Sequence, residues 1–315
     1  MTPTAPSAET SAGTSPVSSS ATARHPNPIL LGIALTIVML IWVFNYVAVK
    51  IALRHIDAIS LASMRLPLAA LLMLPIYFSR EHRTRLRRSD IWTFIYLGFF
   101  GVVINMGGYT IALSQTTSEH AVVIMAMGPV LVLLLGAALK LEALTIAKAM
   151  GMAISFAGIL ALETEHGLSR HSPLLLGDFI TLVTISGFAL FTVLAKRVTL
   201  RYDAISMNTY NVIAGALLVA PLGIWQSAHL RWGSVGWAGW LAMFYMAGAS
   251  TVISYTLFNW VLRHMDPSRV AAVNYIQPVI VILISVPLLG EHPTGHLFAG
   301  ATLVLLGVYL AERSK

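Results

Sequence analysis

The chain has no cysteine among its 315 residues, and charged side chains make up only 10% of it. Without thiols there is no disulfide framework, no cysteine nucleophile and no cysteine metal site. A soluble domain carries about 25% Asp, Glu, Lys and Arg, so this chain cannot dress a water-facing surface of ordinary size. The HExxH, GxSxG and phosphate-loop patterns are also missing, which removes the common sequence signatures of metalloprotease, serine hydrolase and nucleotide chemistry. His292 and His296 flank Pro293 with no third ligand in view, so a metal site is not expected. No cofactor is implied.

What remains is apolar: 57% of the residues are hydrophobic and the mean hydropathy is +0.78. A membrane helix needs about 20 apolar residues, and ten such segments use nearly the whole chain. They are placed near 29–51, 58–79, 91–112, 119–139, 146–162, 174–195, 204–225, 236–262, 269–289 and 295–311. Residues 1–27, rich in Thr, Ser, Ala and Pro, are read as a disordered tail. They lack the apolar stretch of a signal peptide.

The basic residues set an orientation. With the N-terminus inside, one side receives Arg24, Arg80, Arg83, Arg85, Arg87, Arg88, Lys140, Lys148, Lys196, Arg197, Arg201, Arg263, Arg269, Arg313 and Lys315. The other receives Lys50, Arg54, Arg170 and Arg231, while Arg65 lies within a span. This asymmetry places both termini in the cytoplasm. It also accounts for the net charge of +7, so nucleic acid is not an expected partner.

The two halves repeat. DAIS at 57–60 recurs at 203–206, Pro75 meets Pro221 and Arg65 meets Asn211, all at an offset of 146. Farther along, an offset of 149 pairs Pro129 with Pro278, Glu142 with Glu291, Thr145 with Thr294, Gly151 with Gly300, Gly158 with Gly307 and Glu163 with Glu312. Five helices per unit is an odd number, so the second unit, 174–312, inserts upside down relative to the first, 28–163. Inverted five-helix repeats are a transporter architecture, with the substrate site between them near the midplane.

Several motifs resemble those of the EamA-like family of the drug/metabolite transporter superfamily. The residues are IWVFNYVAVK with Trp42, Asn45 and Lys50, then Met64-Arg65, then GPVLVLLLGAALKLEALT at 128–145. In the second half they are Gly177-Asp178, AKR at 195–197 and QPVIVILISVPLLGEHPT at 277–294. The resemblance covers roughly residues 30–312. It implies ten helices, cytoplasmic termini, and transport of metabolites, often amino acids or related compounds, across a bacterial inner membrane.

Polar side chains at membrane depth are costly and tend to face the bundle interior or a wet cavity. Five pairs at helical spacing are candidates for the substrate pathway: Trp42 with Asn45, Asn105 with Tyr109, Asn208 with Asn211, Tyr255 with Asn259, and Asn274 with Gln277. Amides and rings together suit a small zwitterionic solute; the alternative is hydrogen bonding that only holds helices together. Arg65 is the sharpest single residue, able to grip a substrate carboxylate in a fork. It could instead snorkel, or pair with Asp178 or Glu119. Lys50 closes the first span, either as part of the pathway or at the interface. Asp178 is a proton-relay candidate, although a helix N-terminus also favours an acid. Pro129 and Pro278 are expected to kink their spans near the midplane. The small residues Ala147, Gly151, Ser155, Gly158, Gly300 and Gly307 suit packing within one monomer, with a homodimer as the alternative.

The expectation is an all-α integral membrane protein: an inner-membrane secondary transporter that exports amino acids or related small metabolites by alternating access. A flippase for a lipid-linked molecule is the second expectation, and a membrane-embedded enzyme a distant third.

Overall fold

A computed structural model describes residues 27–81, 83–139, 145–163, 173–230, 232–267, 270, 274 and 276–313. The reading of residues 1–26 as a disordered tail, and the placement of Lys140, Glu142, Arg170, Arg231 and Arg269, fall outside the described residues. All regular structure among the described residues is helical. Seven helical stretches are long and apolar enough to cross a membrane, and three shorter apolar helices span Ile146–Ala161, Gln277–Leu289 and Gly295–Leu310. The chain is a multi-pass membrane protein.

The first half consists of α1 (Pro28–Leu53), α2 (Ala58–Phe78), α3 (Ile91–Gly98), α4 (Gly108–Gln115), α5 (Ser118–Met125), α6 (Gly128–Ala138) and α7 (Ile146–Glu163). The second consists of α8 (Pro173–Thr199), α9 (Ala204–His229), α10 (Trp237–Phe244), α11 (Ser254–His264), α12 (Gln277–Leu289) and α13 (Gly295–Arg313). Equivalent helices begin 145, 146 or 149 residues apart, and the start signals of α2 and α9 repeat at the offset of 146. The Asp57 carboxylate accepts from the Ser60 amide at 2.9 Å, and Asp203 accepts from Ser206 at 3.1 Å. These DAIS segments are matched N-caps that satisfy orphan amides at the helix start.

Between α3 and α4 the chain is π-helical over Phe99–Gly107, and between α10 and α11 it is π-helical over Tyr245–Ile253. The segments lie 146 residues apart, so the wide turn belongs to the repeat. Both put side chains on the central cavity, in keeping with the placement of π-turns at functional sites.

Pro129 and Pro278 do not interrupt continuous helices; each stands in the first turn of α6 and α12. There the missing N–H would be unpaired in any case. The fourth span is broken at Ala126–Met127, just ahead of Pro129, where α5 ends and α6 begins. The prolines inside helices are Pro67, Pro75, Pro221 and Pro287.

Glycines permit the tightest contacts. α7 packs along α13, where a Cβ on Gly158 would stand 2.8 Å from the Gly300 carbonyl. The Ser155 hydroxyl there donates to the Val304 carbonyl at 3.1 Å. The small-residue faces thus meet within the chain, α7 of one half on α13 of the other. α2 packs on α9, also across the halves.

Candidate functional site

The core holds a cavity bounded by α1, α2, α4, α5, α8, α11, α12 and both π-helical segments. Its lining includes Trp42, Asn45, Arg65, Asn105, Tyr109, Tyr255, Asn274 and Gln277. All eight are sequence candidates, drawn together from both halves. Tyr46, Met106, Met125, Phe188 and Ser250 complete the wall. The open space at the centre is about 60 Å³, which is too tight for an amino acid, whereas ligand pockets commonly measure about 300–1,000 Å³. The cavity stands closed around its own side chains.

Arg65 sits on α2, only 2% exposed. Its two terminal nitrogens donate to the hydroxyls of Thr110, at 3.2 Å, and Thr251, at 3.3 Å, one from each half. Nε has no partner. The expected alternatives are not found: Asp178 bonds to His120 and Thr116, and Glu119 accepts from Ser285. Among the described residues no carboxylate lies within ion-pair distance of Arg65. A guanidinium has five donors in a fixed fork, and burial without a counter-charge is costly.

Around it the wall divides into rings and amides. Trp42 donates to the Ser254 hydroxyl at 2.9 Å and packs against Phe188, Tyr255 and Phe258, with ring centroids 5.5–5.7 Å away. Tyr46 meets Tyr109 edge to face at 5.2 Å. The Tyr255 hydroxyl donates to Asn105 Oδ1 at 2.5 Å, and the Gln277 amide donates to Asn274 Oδ1 at 2.8 Å. Such a wall offers apolar contact on one side and both donors and acceptors on the other.

Four candidates lie elsewhere. Asn208 is fully buried and its amide donates to the Thr251 and Val252 carbonyls and to the Thr256 hydroxyl, tying α9 to the second π-helical segment. Asn211 and Asn259 are fully buried but do not line the cavity. Lys50 donates to the Thr116 carbonyl just past α4 at 2.6 Å. Its repeat mate Lys196 donates to the Leu262 and Met265 carbonyls at the end of α11, each at 2.7 Å. Both lysines cap the C-terminal carbonyls of a helix, where a cation is favoured, and Lys50 also stands in the wall of a second cavity.

Sequence reasoning misses Tyr46, Thr110 and Thr251. Signals point to two of them: Tyr46 is one helical turn beyond Trp42, and Thr251 is the repeat mate of Asn105. Among the described residues no group of three His, Cys, Asp or Glu is placed to hold a metal ion.

A second cavity of about 540 Å³ opens at the face where α1 ends, with Lys50, Arg54, Asp57, Gln115 and Glu291 in its wall. At the opposite face, an apolar groove of about 470 Å³ runs between α1, α9 and α11, with Ile33, Ile37, Ile205 and Trp260 along it and Arg80, Asp203 and Arg263 at its end.

A helical membrane protein built of two repeats around a closed, charged and amide-lined cavity belongs to the class of small-molecule transporters. The EamA-like transporter family matches residues 30–164 and again 175–312, and the chain belongs to that family. It is 26% identical over 282 residues to an uncharacterized transporter of Archaeoglobus fulgidus, covering 89% of this chain and 96% of that one. It is 24% identical to a probable amino-acid metabolite efflux pump of Salmonella typhimurium, covering 89% and 93%. A protein of the same description in Escherichia coli K12 is also 24% identical, with the same coverage. A solved crystal structure superposes with a TM-score of 0.62 at 18% identity, over 90% of this chain and 97% of that one; it supports the fold alone.

Proposed function

We propose that the chain is a secondary transporter that exports amino acids or closely related carboxylate-bearing metabolites across a bacterial inner membrane. Its ten crossing segments form two inverted five-helix units, residues 28–163 and 174–312, that open the central cavity alternately to each face. The basic-residue asymmetry supports cytoplasmic termini. On that orientation the 540 Å³ cavity is an outer vestibule and the apolar groove faces the cytoplasmic leaflet.

One observation carries the reading. Arg65 presents a buried cation with only hydroxyl partners, among amides and rings contributed by both units. A substrate carboxylate would complete the fork that Thr110 and Thr251 only half satisfy. The match to efflux pumps of the same length supports the direction. The match to proteins named as transporters and efflux pumps supports reading the protein as a transporter rather than an enzyme. A second reading, passage of a lipid-linked solute, draws on the groove along α1, which could hold an alkyl chain beside the bundle.

The test is counterflow in proteoliposomes preloaded with each of a panel of unlabelled amino acids. Uptake of the matching radiolabelled amino acid is expected for a subset of the panel. No uptake of any, with stimulation by a lipid-linked solute instead, overturns the amino-acid reading in favour of the second.

A further inference from the structure

The proposed function leaves one set of titratable side chains unused. On the outer side of the cavity, His120 of α5 and Asp178 of α8 form a pair with Nδ1 and Oδ2 2.8 Å apart. Both side chains are at least nine-tenths buried, at 5% and 3% exposure. The Thr116 hydroxyl donates to the other Asp178 oxygen. The pair joins the two halves of the chain, since α5 belongs to the first and α8 to the second.

Its placement is specific. Gly177 lets α8 approach so closely that a Cβ there would stand 2.7 Å from the Thr116 amide and from its Cβ. His120 lies five residues before Met125, which lines the cavity, about 7 Å along a helix. Toward the outside, the Thr116 carbonyl accepts from Lys50, whose side chain forms part of the vestibule wall. The pair therefore lies between the vestibule and the cavity, linked to the vestibule wall through Thr116 and Lys50. Neighbouring bonds close the same seam: the Ser118 amide donates to Glu291 at 2.9 Å, and the Ser285 hydroxyl donates to Glu119 at 3.3 Å.

We propose that His120 and Asp178 form a proton-binding site that holds the outer end of the pathway shut while His120 carries the proton. The inference rests on the transporter reading, which makes this seam the outer closure. With the imidazole protonated, a charge-assisted bond spans α5 and α8. When the proton leaves, the pair loses its charge attraction, and the tautomer with a bare Nδ1 turns a lone pair toward the carboxylate. The seam then loosens. In an exporter this has the useful sense: a proton arriving from outside recloses the emptied cavity.

Among the described residues, the charged and titratable groups bonded around the pair include Lys50 from α1, Glu119 on α5 itself and Glu291 ahead of α13. Of the other packed elements, α4 carries Tyr109, α13 begins near His296, α7 has Lys148 and Glu163 at its ends, and α6 and α12 have none. Protonation of Glu119 or Glu291 would weaken the seam at acid pH, the opposite sign from His120.

The lack of cysteine in the chain gives a direct test that needs no substrate. A Met125→Cys reporter in the cavity is labelled from outside with a membrane-impermeant maleimide. A Ser114→Cys reporter in the vestibule corrects for the pH dependence of thiol reactivity. Corrected labelling of the cavity is expected to rise about tenfold as the pH is raised from 5.5 to 8 and His120 gives up its proton. His120→Asn retains a donor near the Nδ1 position and is expected to label slowly at every pH. Asp178→Asn removes the acceptor charge and is expected to label fast at every pH. A flat profile in the parent reporter, or the parent's profile persisting in His120→Asn, overturns the proposal. If Asp178→Asn does not reach the membrane, His120→Asn decides alone. Counterflow with a flat labelling profile would remove the proton site and leave the transporter; a pH-dependent profile without counterflow would do the reverse.

Discussion

Replacing Arg65 by glutamine separates a substrate-gripping role from a structural one, because the two predict opposite changes in stability. A unit charge about 4 Å from a carboxylate, at an effective dielectric of about 20, is worth roughly 4 kcal/mol. Removing one partner of such a buried pair typically costs about 2–5 kcal/mol. At about 1.4 kcal/mol per factor of ten, transport efficiency should fall by at least about 30-fold. Stability should move the other way. In the closed cavity Arg65 has no counter-ion and an unpaired Nε, and holding an uncompensated ion away from water costs several kcal/mol. Glutamine keeps a donor for Thr110 or Thr251 and discards that cost, so the melting temperature should stay level or rise. The assays are counterflow of an amino acid carried by the parent, and thermal unfolding in detergent. Undiminished flux in Arg65→Gln, or lost flux with a lowered melting temperature, would refute the reasoning.

Three further outcomes follow from the geometry. Lys50→Met and Lys196→Met should each lower stability by about 1 kcal/mol through loss of a helix C-cap cation, with KM unchanged in both; a tenfold rise in KM for Lys50→Met alone would return Lys50 to the pathway. Gly177→Ala forces a Cβ against Thr116 and should cost about 1–3 kcal/mol by overpacking, read by thermal unfolding; a neutral result would mean α8 does not sit that close. Burial pushes the Asp203 carboxyl up, but bonds from the Ser206 hydroxyl and amide and from Thr84 outweigh it and hold the pKa below the ordinary value. Its contribution is therefore complete above the unfolded value of about 3.9 and is lost as the pH falls through the lower folded value. Melting temperatures taken from pH 6 downward should fall less steeply in Asp203→Asn than in the parent, and parallel curves would contradict this.

Much of the fold is legible because membrane insertion leaves few options. Apolar length gives the spans, and backbone pairing within each segment forces helices. The repeat offset of the two DAIS segments by itself points to the matched caps at Asp57 and Asp203. The π-helical segments are not legible: FFGVVINMG and YMAGASTVI carry no local signal, and the wide turns become visible only where Gly101 gives Phe191 room. Pro129 and Pro278 illustrate a different limit. Their position in the span is readable, but whether the helix restarts at a proline or bends through it depends on the residues before it.

The candidate site is half legible for a similar reason. Helical spacing says that two polar residues share a face, and it does not say which way the face points. Trp42 with Asn45, Asn105 with Tyr109, and Asn274 with Gln277 point inward, whereas Asn208 turns to the backbone of the second π-helical segment. Lys50 is ambiguous in the sequence, and in the structure it caps a helix in the same way as its repeat mate Lys196. His120 carries no motif at all; only the approach of α8 at Gly177 brings Asp178 to it.

The central claim is that one cavity between the two units opens alternately to either side. Because the chain has no native cysteine, spin labels can be placed in pairs without background. One pair, Ser114→Cys with Leu288→Cys, spans the units at the outer face; another, Ser79→Cys with His264→Cys, spans them at the cytoplasmic face. Distances are measured by double electron–electron resonance with and without a transported amino acid. The account predicts that the two distances shift in opposite directions, one face widening as the other narrows. Two distances that move together, or that both stay fixed while transport proceeds, would contradict it.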